Sequence, residues 1–206
     1  MRAILLLTAA ALILASVVAV WWLTRGPDAS QFAHLREPRL TRMHDQRMLV
    51  VEAAGDPNVV GASAFKLLFS TYFKLEGVSR IGRPPAPRGR WQRPQDTPKD
   101  QWLGQYALPL STSVAMPLAE STGPLRTVIT TWAYGDVAEI LHVGPYSAEQ
   151  PDIERLLDFI NSTGYHVVGD HEEEYVKGPG MMFSGDPGKY LTIIRLRVEK
   201  PLDRSS

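Results

Sequence analysis

The order of elements between residues 139 and 198 constrains the fold of this chain more than any other feature. An alternating apolar strand ends at a Gly144-Pro145 turn, and Ser147 with Gln150 has the spacing of a capping box that would begin a helix. Apolar residues then recur at helical spacing up to Gly164, namely Ile153, Leu156, Leu157 and Ile160. Two strands follow, and the first of them contains Glu173. This strand, helix, strand, strand order predicts one compact α+β unit.

The same order occurs earlier in the chain. A short apolar strand at residues 48–51 precedes a turn at Gly55, and one helix face carries Phe65, Leu68, Phe69 and Tyr72. Gly55 precedes the closing Gly77 by 22 residues, and Gly144 precedes Gly164 by 20. We therefore predict tandem strand-helix-strand-strand repeats, at about residues 46–110 and 126–199, that form an antiparallel sheet with two helices on one face.

The N-terminus predicts a membrane anchor. Residues 3–23 contain no charge, and as a helix they would span about 31 Å, enough for a bilayer core. Trp21 and Trp22 stand where interfacial anchors belong, and they are too bulky for a signal-peptidase site, which disfavours a cleaved signal. The predicted organisation is a transmembrane signal anchor at 1–24, a juxtamembrane spacer at 25–45, the domain at 46–199 and a tail at 200–206.

The side of the membrane is a separate question, because two rules disagree. Only Arg2 precedes the apolar run, whereas Arg25, Arg36, Arg39 and Arg42 follow it, and this bias favours a cytoplasmic domain. A short basic start before a long apolar run instead sends the following part of the chain across the membrane. We give the second argument more weight, so the predicted localisation is a single-pass membrane protein with an extracytoplasmic domain, periplasmic if bacterial.

Composition excludes several classes of function. The 22 basic and 22 acidic side chains give a formal net charge of zero, so the basic surface of a nucleic-acid binder is missing and no nucleic-acid partner is predicted. Cysteine is absent, which excludes disulfides, thiol catalysis and Cys-zinc sites. The histidines show no metal-ligand spacing, so neither a metal nor another cofactor is predicted.

The second repeat resembles a known family. The segment Val137-Ala138-Glu139-Ile140-Leu141-His142-Val143-Gly144-Pro145-Tyr146, the following helix, Gly164-Tyr165, Glu173-x-Tyr175 and the strand 191–198 resemble the second half of GyrI-like small-molecule-binding domains. The resemblance implies a duplicated fold with a ligand cleft between the repeats. Similar domains serve as effector-binding parts of multidrug-responsive regulators, and some hydrolyse reactive small molecules. The haem-binding SOUL proteins share this architecture.

The resemblance places Glu173 at the position of a cleft-facing acidic residue. Strand alternation puts Glu173 and Tyr175 on one face and Glu172 and Glu174 on the other. The alternative is that these glutamates form a solvated acidic edge. The other predicted cleft residues are aromatic, and each has buried core packing as its alternative: Trp91, Trp132, Tyr134 and Tyr146.

Two classes of function remain open at this stage. The first is a membrane-anchored module that binds small amphipathic molecules, including cations, or that contacts a membrane-protein partner. A carboxylate beside aromatic rings suits a lipophilic cation. The second is a hydrolase that uses Glu173, although no second catalytic residue is evident, and haem binding is a further alternative. We favour binding, and no residue is assigned a catalytic role.

Overall fold

The computed structural model describes residues 26–80, 82–91, 97–112, 114, 121–179 and 185–201. The predicted anchor at 1–24 lies outside these residues. Within them, no helix is both long and apolar enough to cross a membrane, because the two α-helices have only 16 and 13 residues. The predicted single-pass membrane localisation is therefore wrong for the part of the chain that the structure describes, and the predicted membrane and membrane-protein partners have no support in these residues.

The described residues form an α+β fold built on one antiparallel sheet of nine strands. The strands are β1 Arg39–Met43, β2 Gln46–Ala54, β3 Arg88–Trp91, β4 Leu103–Pro109, β5 Ser121–Thr122, β6 Leu125–Trp132, β7 Gly135–Val143, β8 His166–Lys177 and β9 Leu191–Glu199. The helices are α1 Pro57–Tyr72 and α2 Gln150–Ser162. The order across the sheet is β1-β7-β9-β8-β3-β4-β2-β6-β5.

The two predicted repeats are β2-α1-β3-β4 and β7-α2-β8-β9. They join where β3 pairs with β8, in a register that sets Gly89 opposite Glu173. Both helices cover the same face of the sheet: α1 packs on a core around Leu49, Tyr106 and Leu108, and α2 packs on Ile140 and Ile194. The predicted arrangement of two helices on one face of an antiparallel sheet is thus confirmed.

The linkers require the sheet to curl. In the sheet order, β1 and β2 are six strand spacings apart, which would place them roughly 29 Å apart in a flat sheet. Only His44 and Asp45 connect them, and a chain from Met43 to Gln46 reaches about 11 Å at most. The sheet therefore closes on itself, with the helices outside. We call the enclosed face the inner face and the helix-covered face the helix side.

The second helix begins differently from the prediction. Its N-cap is Glu149, not Ser147, and no side chain caps it; the Gln150 amide instead donates to Glu154. Residues Tyr146–Ala148 form a separate 3-10 turn. The predicted end of the helix is correct in kind, because Gly164 adopts φ 76° and the Tyr165 amide bonds back to the Ile160 carbonyl at 3.2 Å.

Candidate functional site

The centre of the helix side, where the repeats meet, holds a buried carboxylate. Glu173 is 9 % exposed, and strand alternation turns it toward the helices together with Tyr175. Its neighbour across the β3–β8 pairing is Gly89, and a Cβ there would lie 3.0 Å from the Tyr175 hydroxyl. The absence of a side chain at Gly89 therefore leaves room for the Tyr175 ring to reach Glu173.

Three donors hold Glu173. Its Oε1 accepts hydrogen bonds from Trp91 Nε1 at 3.1 Å and His171 Nε2 at 2.9 Å, and its Oε2 accepts from the Tyr175 hydroxyl at 2.8 Å. Burial acts to raise the pKa of Glu173, but the hydrogen bond and charge of His171, with the Tyr175 and Trp91 donors, outweigh it and hold the pKa below its ordinary value. The site is therefore built to keep this carboxylate ionised.

Aromatic rings from both repeats surround the carboxylate. The Tyr175 ring lies edge-on to Phe65 of α1, with 5.9 Å between centroids, and to Tyr146, at 5.4 Å. Trp91 and Phe65 both pack edge-on against Tyr106, at 5.6 Å and 5.0 Å. Tyr146 in turn contacts Tyr190 at 5.5 Å. We call Glu173 and these rings the helix-side site: Phe65, Trp91, Tyr106, Tyr146, Tyr175 and Tyr190.

A second carboxyl group belongs to the same surroundings. Glu149, at the N-cap of α2, is 6 % exposed, and its Oε1 has no hydrogen-bond partner among the described residues. Burial raises the pKa of Glu149 to about 9, and the charge of Glu173 acts in the same direction, while the nearby Thr192 hydroxyl opposes them. Glu149 and Glu173 thus differ in protonation at neutral pH, one neutral and the other ionised.

The inner face carries a different set of charges. Arg195 contacts Glu139 at 2.9 Å, Glu174 at 2.5 Å and Glu172 at 3.5 Å. We call the full set the inner network, which comprises Arg39, Arg88, Arg90, Glu139, Glu172, Glu174 and Arg195. Burial acts to raise the pKa of Glu139, but Arg195 and Arg39 more than offset it and lower the pKa. Each glutamate of the inner network is matched by at least one arginine.

Two of the predicted cleft residues lie with the inner network and not with Glu173. The Tyr134 hydroxyl donates to Glu172 at 3.0 Å and accepts from Arg88 at 2.6 Å, and the Arg90 guanidinium lies 3.9 Å from the Trp132 ring centroid. The curl of the sheet is the reason, because it brings the end of β6 over the inner face. The structure therefore brings together Glu173, Tyr175, Trp91 and Tyr146, and separates them from Trp132 and Tyr134.

The inner face also contains a cavity of about 230 Å³. It lies beside an irregularity in β8, where the β8–β9 register shifts between Val167 and His171. Charged side chains line much of it, including Arg90, Glu172, Arg195 and Arg197. The larger part of these charges is already paired within the inner network.

Sequence reasoning missed several residues of the helix-side site. His171 could have been found, since it is two residues before Glu173 on the same strand and so shares its face. The helical spacing of Phe65 predicts only that it lies on the apolar face of α1. Glu149 belongs to no sequence pattern, because its position depends on how the turn at Tyr146–Ala148 meets the beginning of β9.

No model of a known protein family matches this chain, and no curated protein matches it. Solved structures do match its fold. A hydrolase from Listeria innocua has a TM-score of 0.65 at 22% identity, covering 82% of this chain and 96% of that one. An uncharacterized conserved protein from Listeria innocua has a TM-score of 0.64 at 20% identity, and the match covers 84% of this chain and 99% of that one. The EcmrR C-terminal domain has a TM-score of 0.62 at 13% identity, and the match covers 80% of this chain and 98% of that domain. These similarities are consistent with the GyrI-like fold that the sequence resembles, and at such identities they concern the fold alone.

Proposed function

We propose that this protein binds a small lipophilic cation at the helix-side site, with Glu173 as the counter-charge and the surrounding rings as the apolar contact. The observation that carries the proposal is a buried carboxylate that is kept ionised between aromatic side chains. Among the described residues, His171 is the only basic side chain within ion-pair distance of it, and His171 is charged only when protonated. A ligand cation would supply a permanent positive charge at this position.

Two physical effects favour this class of ligand. A cation over the faces of Tyr or Trp gains roughly 0.5–2 kcal/mol, with the higher value when water is excluded. A carboxylate at low exposure interacts more strongly with a cation than one in bulk water, because the effective dielectric constant is lower. The helix-side site combines a carboxylate of 9 % exposure with aromatic rings in direct contact with it, since Trp91 and Tyr175 donate to Glu173.

The inner face is the less suitable surface for a cation. Arg88, Arg90 and Arg195 already pair with its glutamates, and Arg195 is 7 % exposed. A cationic ligand would have to displace an arginine held by several partners. The same strand, β8, therefore presents on one side a carboxylate that no lysine or arginine of the described residues neutralises, and on the other side carboxylates that are paired with arginines.

The structural neighbours support a small-molecule function without specifying it. The EcmrR C-terminal domain shares the fold, and EcmrR is also known in a DNA complex, whereas the Listeria innocua neighbour is named a hydrolase. Small-molecule binding is the property that the fold resemblance implies. The cationic character of the ligand rests on Glu173 and its surroundings in this chain.

A thermal-shift experiment on the full chain tests the proposal. The probes are methyltriphenylphosphonium and its neutral analogue triphenylphosphine oxide, and the variants are Glu173→Gln and the adjacent inner-face control Glu174→Gln. We expect the cation to stabilise wild type and Glu174→Gln, by about 2.7 kcal/mol at a hundredfold excess over Kd, and to stabilise Glu173→Gln much less. Equal cation-induced shifts in the two variants, each measured against its own unliganded Tm, would remove Glu173 from the ligand site.

A second candidate function is hydrolysis, favoured by the pair of carboxyl groups. A neutral Glu149 and an ionised Glu173 are the protonation states of a general acid and a general base. Glu173 would take a proton from a water molecule while the oxygen of that water adds to the substrate. Glu149 would give its proton to the atom of the substrate whose bond is broken. Mass spectrometry of epoxides and cyclopropane-bearing electrophiles incubated with the protein tests this. Gain of one water that is lost in both Glu149→Gln and Glu173→Gln would support it.

A further inference from the structure

Glu149 is buried in a way that its place in the fold does not explain. It stands at the N-cap of α2, yet its side chain caps no backbone amide. Its side chain is almost fully enclosed, and Oε1 has no partner among the described residues. An unpartnered buried carboxyl oxygen costs stability, so a residue with only a structural role would be better served by an apolar or a paired side chain.

Glu149 lies close enough to Glu173 for their charges to interact. Tyr175 pairs with Thr192 across β8 and β9, and the Thr192 hydroxyl lies close to the Glu149 carboxyl. The Tyr175 hydroxyl donates in turn to Glu173. Within the described part of the chain, neither Thr192 Oγ1 nor Glu149 Oε1 has a hydrogen-bond partner within 3.5 Å, although the Thr192 hydroxyl is close enough to Glu149 to lower its pKa. Two polar atoms without a hydrogen-bond partner therefore lie near Tyr175, whose hydroxyl donates to Glu173.

The groups around Glu149 are all acidic or neutral. Glu173 and Tyr175 face it from β8, Asp152 from α2 and Tyr146 from the turn before the helix, while β9 contributes Thr192. The histidines of this region are already engaged, His171 with Glu173 at 2.9 Å and His142 of β7 with Asp152 at 2.9 Å. In the described residues, no lysine or arginine is recorded within ion-pair distance of Glu149.

We propose that Glu149 is a second acidic residue of the helix-side site, which carries a proton when the site is empty and releases it to solvent when a cation binds beside Glu173. The inference rests on the proposed cation-binding function. Binding then exchanges one positive charge for another: the ligand cation enters, the Glu149 proton leaves, and the charge of the protein with its ligand is unchanged. Glu149 Oε1 and Thr192 Oγ1, which have no hydrogen-bond partner among the described residues, would then contact the ligand.

The physical reason is electrostatic. In the empty site, ionised Glu149 would add a second buried negative charge next to Glu173, which is unfavourable. A cation near both carboxyl groups favours the ionised form of each, so its binding lowers the proton affinity of Glu149. One cation then meets two carboxylates in place of one. Affinity must consequently rise with pH, by up to about tenfold per unit, as long as the empty site holds the proton and the occupied site does not.

Isothermal titration calorimetry with methyltriphenylphosphonium tests this on the full chain. Titrations at pH 7 in phosphate and in Tris, which differ in ionisation enthalpy, count the protons released. We expect about one proton per cation in wild type and almost none in Glu149→Gln. The Kd of wild type should fall from pH 6.5 to pH 8.5 and that of Glu149→Gln should stay constant. Gln closely matches a neutral Glu, so the variant is expected to fold.

His171→Gln tests the other group that could release a proton on binding, the imidazole of His171. If proton release persists in Glu149→Gln and disappears in His171→Gln, the proton comes from the imidazole and the inference is overturned. Binding to wild type without proton release overturns the inference and leaves the proposed function standing, whereas absence of binding overturns both. A carbon-13 NMR titration of the Glu149 carboxyl in the unliganded protein gives an independent check: titration near the ordinary pKa of glutamate would refute the protonated state.

Discussion

The two faces of strand β8 hold their glutamates with different kinds of partner. On the inner face, Glu172 and Glu174 are paired with arginines, and Arg195 holds them together with Glu139. On the helix side, Glu173 is held by neutral donors and one histidine, inside aromatic rings. The inner face thus pairs its glutamates with arginines, whereas the helix side holds an ionised carboxylate that no lysine or arginine of the described residues neutralises.

The largest expected effect tests the inner face. Arg195→Met would leave two buried carboxylates, Glu139 and Glu172, and the half-buried Glu174 short of a partner, and breaking a buried ion pair costs about 3–5 kcal/mol. Arg155→Met is the control, because the Arg155 side chain is 46 % exposed and solvent-exposed ion pairs such as those it forms with Glu37 and Asp152 are worth about 1 kcal/mol or less. Urea unfolding measures both free energies. Similar losses in the two variants would contradict a structural role for the inner network.

The second prediction concerns the pH dependence on the helix side. The folded-state pKa of Glu149 is raised, to about 9, so between pH 6 and 8 the folded chain holds a proton that the unfolded chain has lost. Stability must then fall as pH rises, by up to about 1.4 kcal/mol per unit. Glu149→Gln lacks the ionisable group, so this decline with pH is absent in the variant. The free energy of unfolding of Glu149→Gln minus that of wild type should therefore rise by up to about 3 kcal/mol from pH 6 to pH 8.

Glu139→Gln is the matched control for that measurement. The pKa of Glu139 is lowered, so Glu139 is ionised in both folded and unfolded chains across this range, and its contribution is lost only as pH falls toward its folded pKa. The difference between Glu139→Gln and wild type should therefore stay constant from pH 6 to pH 8. A parallel response of the two variants would mean that Glu149 is ionised in the folded protein.

The smallest effect compares two tyrosines, one on each face. Tyr175→Phe removes one of three donors from Glu173, and hydrogen bonds to charged groups contribute roughly 1.5–3 kcal/mol. Tyr134→Phe removes a donor from Glu172, but Arg90 remains bonded to Glu172 at 2.8 Å, so a loss of about 1 kcal/mol is expected. Thermal unfolding should rank Tyr175→Phe as the less stable variant, and the reverse order would weaken the distinction between the faces.

Alternation and duplication were predictable from the sequence because they depend on local periods. The period of two along β8 selected Glu173 and Tyr175 as companions, and the register confirms that Glu172 and Glu174 face away. The end of α2 at Gly164 followed from the conformational freedom of glycine. The beginning of α2 did not follow, because the 3-10 turn at Tyr146–Ala148 takes up the residues that a capping box would have used.

What the sequence by itself determined is which side chains share a face of a strand. Which faces come together was decided only by the tertiary structure. Short linkers at His44-Asp45 and Ala133-Tyr134 close the sheet, so Trp132 and Tyr134 meet the inner network and not Glu173. Burial and the charge of Glu173 together raise the pKa of Glu149, and both depend on contacts between residues far apart in the chain. Long-range packing, which no local period encodes, set the protonation of the site.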